Sequence, residues 1–404
     1  MSDAGSGRCT LSLMLSSNHS MYLSRRRCNR MPLQQTVGLP LANKFSVNVQ
    51  IRIQRYGRAY QAYIQTDFSD WYSFSIQLTP EDIKELNAEL QRAIEQVSGY
   101  FEADNADAAE RVEALSRLAQ KGNFAFKKIF AKGTPRDVVH EALERDAVIQ
   151  VTSEDFFIPW ELLYDGPLGA QVEVTGFWGM QYIISRTLIR EARPGDFAPS
   201  LIPSRPRVGV VAYNELMHVA KREIPALQKL EQQQQIYLSC LHSMDIKKRE
   251  KELEDFGNFL REELQIVHMA CHAFEQDPLS ESYLLVSNDF SITMEDFEVQ
   301  EFEIEHRPLV LLNACRSGTI SPLHSPNWAV LFWKHGARGV LATEFHVPDW
   351  FAAAFIEKLY EELLQKRPIG EALLAVRRHF WESEINPLGL GYALYSSPSI
   401  RIAK

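Results

Sequence analysis

The sequence predicts an α/β protein: a mostly parallel sheet flanked by helices, preceded by an N-terminal α+β module. Three observations lead there. Strand-like and helix-like segments alternate from Val208 to Trp381. Several of those strand segments are continuously apolar, as strands buried on both faces are. The first half opens instead on a two-residue alternation followed by helices. A chain of 404 residues with 45% hydrophobic content can build two or three ordinary cores. The net charge of -9 argues against nucleic acid bound through a broad basic face, and no stretch approaches the ~20 apolar residues that span a bilayer. Five scattered cysteines, Cys9, Cys28, Cys240, Cys271 and Cys315, fit a reducing compartment better than a disulfide framework, so the expected location is the cytoplasm.

Residues 1–45 are rich in Ser, Asn and Arg, have no sustained period and read as a disordered leader. A mis-started reading frame, with Met21 or Met31 as initiator, is the equal alternative. Phe45 to Ile53 alternates apolar and polar residues, and Ala59 to Ile64 repeats the pattern after Tyr56-Gly57, which predicts a hairpin. Thr79-Pro80-Glu81-Asp82 is a helix start, and Ile83, Leu86, Leu90 and Ile94 form one stripe behind it. A second helical block begins at Ala108, and Ala147 to Val151 is a strand. Phe156 to Gly166 is dense in large apolar residues and reads as a turn plugging a core. Pro, Ser and charged residues between Arg190 and Arg207 mark a linker, which divides the chain into a module over 46–200 and a domain over 201–404. After it come strands at Val208–Tyr213, Leu264–His272 and Leu309–Ala314, an extended piece at Tyr283–Ser287, and a strand at Gly339–Thr343. Helices are expected around Ile224–Leu230, Trp328–His335, 349–365 and Glu371–Trp381.

Two of these strands end in reactive side chains, His272 and Cys315, and ligands in parallel sheets gather at the carboxyl ends of strands. Alternation places Cys271 on the opposite face from His272, so Cys315 is the thiol that pairs with that imidazole. A thiol of ordinary pKa near ~8.5 is mostly protonated at neutral pH, and a neighbouring imidazole raises its reactivity toward a carbonyl. The oxyanion formed needs preorganised donors, for which the backbone N–H groups of Ala273 and Cys315 are the candidates, with Ser317-Gly318 turning the chain beyond the nucleophile. Glu344, Glu275 and Asp277 are the acidic candidates for a substrate-binding rim that would favour a basic residue. Two readings without this chemistry stay open: a non-catalytic scaffold or sensor, and a zinc site made by His268, His272 and Cys315, which lacks a second closely spaced ligand pair and any recognisable finger spacing.

The two strand tips, together with Leu341 to Asp349, Pro368 to Leu373, Gly389 to Ser396 and the upstream segment Pro159-Trp160-Glu161-Leu162-Leu163-Tyr164-Asp165, resemble the CHAT family of caspase-like cysteine peptidases over roughly residues 145–404. The resemblance implies a caspase-like six-stranded sheet and peptide-bond hydrolysis with no metal or organic cofactor, with His272 as base and Cys315 as nucleophile. It also implies a protein substrate, a regulatory or activating protein partner, and a setting such as bacterial antiviral defence or cell death, while charge and hydropathy lead us to expect no direct nucleic-acid binding and no membrane partner. Residues 46–200 would then restrain the site, receive a signal, or be a degenerate caspase-like partner domain. Two positions depart from the family. Ala273 stands where Gly usually follows the histidine, which strains any backbone needing positive φ, and Phe345 stands where Trp is common, which alters a substrate-facing wall.

Overall fold

In this computed structural model the described residues are 47–403, apart from 67–68, 103–107, 154, 170–171, 189–200, 214, 275, 277–278 and 316–327. The expected leader and most of the linker therefore lie outside the described residues. The chain begins with a meander of β1 (Val49–Tyr56), β2 (Ala59–Thr66) and β3 (Ser69–Ile76), then helices α1 (Pro80–Glu102), α2 (Ala108–Ile129) and α3 (Thr134–Ala142). Strand β4 (Val148–Ser153), the short α4 (Trp178–Gln181) and β5 (Ile183–Leu188) complete a five-stranded sheet of order β3-β2-β1-β4-β5, in which β4 and β5 run parallel to β1.

Period two explains this sheet. Val49, Ile51 and Ile53 are buried while Arg52 and Gln54 are exposed, so one face packs under the helices and the other stays polar. The stripe expected on α1 is the buried one, with Ile83, Leu86, Leu90 and Ile94 all in the core. Thr79 and Asp82 cap that helix reciprocally: the Asp82 amide donates to Thr79 Oγ1 at 3.2 Å and the Thr79 amide to Asp82 Oδ2 at 2.7 Å.

A short β6 (Leu201–Ile202) leads into the second sheet, made by β7 (Arg207–Ala212), α5 (Ile224–Gln232), β8 (Tyr237–Cys240), α6 (Arg249–Leu260) and β9 (Ile266–Phe274). The hairpin β10 (Tyr283–Ser287) and β11 (Phe290–Thr293), α7 (Met294–Val299), β12 (Leu309–Cys315), α8 (Trp328–Lys334) and β13 (Gly339–Thr343) follow. The chain closes with α9 (Asp349–Leu364), α10 (Ile369–Glu384), β14 (Tyr392–Tyr395) and β15 (Arg401–Ile402), the last paired with β6. The six-stranded path is β8-β7-β9-β12-β13-β14, parallel except for β14, and the β10–β11 hairpin adds to the far end of β9.

The apolar runs are double-sided. Ile266, Leu309, Leu311 and Leu341 join α5, α9 and α10 in one core, while Val267, Met269, Val310, Leu312 and Val340 join α6, α7 and α8 in the other. The first core does not stop at the second sheet: it continues through Ile149, Trp160, Trp178 and Phe130 into the N-terminal layer. The aromatic segment after β4 makes that joint, with Trp160 and Trp178 ring centroids 6.2 Å apart and Trp178 stacked on Phe130 at 5.5 Å. No helix among the described residues is long and apolar enough to cross a membrane.

Gly122 lets α2 reach this joint, since a Cβ there would lie 2.2 Å from the Leu162 carbonyl oxygen. A helix gains about 1 kcal/mol from Gly→Ala in isolation, but a backbone clash of this depth outweighs it. Gly122→Ala is expected to lose about 1–3 kcal/mol in urea unfolding, and a stabilised variant would refute the close approach.

Candidate active site

The site follows from how β9 and β12 are paired. They lie parallel and in continuous register from Ile266 against Leu309 to His272 against Cys315, so the backbone alone sets positions 272 and 315 side by side. On its other edge β9 pairs with β7 only as far as Ala270, and the neighbouring β7 ends at Ala212. His272 thus stands just beyond the end of one neighbour and level with the end of the other. Of residue 315 only the backbone is described.

His272 is half-buried. Its ring lies 5.6 Å from that of Tyr213, the residue after β7, and 6.0 Å from that of Phe274. Burial pushes its pKa below the ordinary imidazole value; the Asp349 carboxylate at the start of α9 pulls it back up, and His346 pushes it down again. The imidazole is therefore neutral near pH 7 and suited to accept a proton. Cys271 is 1% exposed in the opposite core, as alternation requires. Thr343, at the end of β13, donates from Oγ1 to the Ala314 carbonyl oxygen at 2.5 Å and so fixes the peptide that leads into Cys315.

Several sequence expectations need correction. Strand β9 does not end at His272: Ala273 and Phe274 continue it, paired with Leu284 and Tyr283 of β10. Ala273 has no positive φ, so the expected strain is absent. Glu344 does not line an open rim. It is buried, its amide donates to the Gly391 carbonyl oxygen at 2.8 Å, and both its carboxylate oxygens accept from Arg186. Phe345 is 2% exposed within the first core rather than on a substrate-facing wall. The reason is the same for both: another layer covers the end of β13. Glu275, Asp277, Ser317 and Gly318 lie outside the described residues.

That cover carries a buried ionic cluster that sequence reasoning missed. Arg186 of β5 donates to Glu161, in the single turn Trp160–Leu162, and to Glu344, while Tyr395 donates to Glu344 Oε1 at 2.9 Å. Arg377 of α10 adds contacts with Glu161 at 3.4 Å and with the Gly389 and Gly179 carbonyl oxygens at 3.1 Å each. Burial disfavours the Arg186 cation, but Glu161 and Glu344 outweigh it and hold the guanidinium charged. Burial also pushes the Glu344 carboxyl up to about 7, against the pull of Arg186 and helped by Glu161. The glutamate within the aromatic segment around Trp160 was the only local hint, since an acidic residue amid large apolar ones needs a buried cation.

A second buried network sits beneath the strand ends. His268 Nε2 and Asn313 Nδ2 both reach Glu223 Oε1, at 2.6 and 2.8 Å, Tyr392 donates to Asn313 Oδ1 at 2.8 Å, and the Tyr360 hydroxyl lies 3.3 Å from His268 Nδ1. Both ring nitrogens of His268 are thus engaged, which leaves it none for a metal. Among the described residues, the one grouping of three potential ligands is elsewhere, at His242, Glu252 and Asp255.

A central, mostly parallel sheet with helices on both faces, carrying a histidine and a cysteine position on adjacent strand ends, defines a caspase-like α/β fold of the clan CD peptidase type. The comparisons agree. The CHAT domain family matches residues 143–398, well over half the chain and beginning just before β4, and this chain belongs to that family. Among solved structures it is similar to a chain of the Saccharomyces cerevisiae separase–securin complex at 2.6 Å resolution, with a TM-score of 0.53 and 9% identity over 88% of this chain and 30% of that one. Weaker likenesses are a 3.0 Å structure of the same complex (TM-score 0.46, 11% identity, 89% and 30% covered) and the Drosophila initiator caspase Dronc (0.32, 8%, 53% and 90%). The chain thus spans under a third of the separase-complex chain it matches, and the likeness is one of fold. No curated protein sequence matches it.

The ionic cluster generates a prediction. Arg186→Met leaves Glu344 buried without its cation and Glu161 with Arg377 alone, and is expected to cost about 3–5 kcal/mol near neutral pH. The Glu344 carboxyl is raised from 4.5 to about 7, so its contribution to stability is complete below the lower value and is lost as pH rises through the upper one. Removing Arg186 raises that carboxyl further and enlarges the loss. Urea unfolding at about pH 5 and about pH 8 should show the variant's deficit growing with pH; an equal deficit at both would contradict the cluster's role.

Proposed function

We propose that this chain is a cysteine endopeptidase that cleaves a protein substrate with a Cys315–His272 dyad. The register that sets these two positions opposite each other at the ends of adjacent parallel strands carries the reading, and family membership supports it. In this mechanism neutral His272 takes the Cys315 thiol proton as sulfur attacks the scissile carbonyl carbon. The resulting oxyanion is held by backbone N–H groups, those of Cys315 and Ala273 being the candidates. Collapse expels the amine, which takes the proton from His272, and leaves a thioester on Cys315. His272 then removes a proton from water, whose oxygen attacks the thioester; the sulfur departs, takes that proton back from His272 to restore the thiol, and the carboxylic acid is released. No metal or organic cofactor takes part in these steps.

Control follows from the cost of an unrestrained peptidase inside a cell. We assign it to a protein partner or signal acting through the N-terminal sheet, because Arg186 of β5 reaches Glu344, and Thr343, one residue before, holds the peptide leading into Cys315. A cytoplasmic defence or cell-death system is the setting this reading favours. Separase, crystallised in complex with securin, is a relative in fold that takes a protein partner.

A proteome-wide cleavage screen of the native chain, with its genomic neighbours added, tests the assignment. Cys315→Ala and His272→Ala should abolish turnover with circular dichroism unchanged, while Cys271→Ala keeps most of it. Full cleavage by either dyad variant would overturn the dyad, and none by the native chain under every condition would return the protein to a scaffold role. The pH profile is a separate check. Because burial lowers the His272 pKa, the acid limb of kcat/KM should fall below the ordinary imidazole value of about 6.5. Asp349→Asn removes the charge that raises it, so the limb should move to still lower pH; a shift upward would exclude Asp349 as the neighbour that matters.

A further inference from the structure

Strand β8 lies two places from β9 in the second sheet, and the connection from its carboxyl end to α6 carries His242. On α6, Glu252 and Asp255 are three residues apart and so share a face. His242 Nε2 lies 2.7 Å from Glu252 Oε2 and 4.0 Å from Asp255 Oδ2, and the three ligand atoms fall within 4.8 Å of one another. Glu252 is 5% exposed, whereas the side chains of His242 and Asp255 are 54% and 34% exposed, so one ligand is anchored in the core and two meet solvent. Charge here is unbalanced. Two carboxylates face one imidazole, and among the described residues neither pairs with a lysine or arginine. The nearby cations turn elsewhere, Arg249 to Asp296 at 2.6 Å and Lys248 to Asp245 at 4.0 Å.

We propose that His242, Glu252 and Asp255 form a binding site for a divalent transition-metal ion of the zinc type, with water at the remaining position. An imidazole nitrogen beside carboxylate oxygens suits zinc and its neighbours, whereas calcium and magnesium are held by oxygen alone and in larger number. Tetrahedral ligands about 2.0–2.1 Å from zinc stand roughly 3.3–3.4 Å from one another. The 2.7 Å separation therefore opens and the wider ones close, by at most about 1.5 Å, through rotation of the exposed His242 and Asp255 side chains. Nε2 then offers its lone pair to the ion, and the ring proton sits on Nδ1. The bound ion pins the β8–α6 connection to α6. Ser287 Oγ of β10 donates to the Met244 carbonyl oxygen in that connection at 2.7 Å, and β10 pairs with β9 at His272, so occupancy braces the strand beside the candidate base. Only this last consequence rests on the peptidase reading; binding does not.

The test is calorimetric titration of the untagged full chain, freed of metal by chelation and carrying Cys315→Ala so that the dyad itself holds no zinc. Zinc chloride should bind saturably, about tenfold or more tighter than calcium chloride or magnesium chloride, and should raise the unfolding temperature. His242→Ala and Asp255→Asn, both changes at solvent-exposed ligands, should each weaken this binding about tenfold or more and remove the rise; zinc held by other thiols would persist in both. Circular dichroism identifies the folded variants. No zinc binding, calcium or magnesium bound as tightly, or zinc affinity and stabilisation unchanged in either folded variant would overturn the proposal, and each leaves the dyad assignment untouched.

Discussion

Everything at the candidate site depends on the parallel register between β9 and β12. Both strands are buried on both faces, so alternate residues are committed to two different cores. A slip of one residue would exchange Ile266, Leu309 and Leu311 with Val267, Val310 and Leu312, reversing the partners of every helix above and below. The hydrophobic pattern therefore locks the register, and the register places 272 opposite 315. The side-by-side placement of positions 272 and 315 is a by-product of packing further down the two strands. The shorter β7 completes the arrangement, because its end at Ala212 leaves the last part of β9 to the β10 hairpin and gives His272 a partly open environment.

The second constraint is electrostatic. Glu161, Arg186, Glu344 and Arg377 are all buried, and none is tolerable alone. They come from the turn after β4, from β5, from the end of β13 and from α10, so the charges cannot be separated without parting the two sheets. Hydrophobic contact between the layers is non-directional, whereas this cluster has a geometry, and it specifies how the layers sit. The span of the family match, which begins at residue 143 and takes in β4 and β5, has a physical basis here: the second half of the N-terminal sheet supplies the cation that the end of β13 requires.

The two buried networks divide their work by position. The ionic cluster lies beyond the end of β13 and joins layers; the Glu223 network lies beneath the ends of β9 and β12 and joins strands to the helices packed on them. His272 stands apart from both networks: partial burial lowers its pKa and Asp349 raises it.

Much of this was legible in the chain itself, because short-range physics is written in short-range pattern. Period-two and period-3.6 spacing located β1, β9, β12, β13, α1 and α9, the Thr79–Asp82 cap located a helix start, and continuous apolar runs announced strands covered on both sides. Strands β3 and β5 escaped: Ser and Asp interrupt the first, and the second carries an arginine that looks like surface until its carboxylates are found. Tertiary structure alone decided that Arg186 meets Glu344, 158 residues away, and that the end of β13 is roofed rather than open. A strand end signals exposure only when nothing lies over it, and what lies over it comes from a distant part of the chain through contacts that no local spacing encodes.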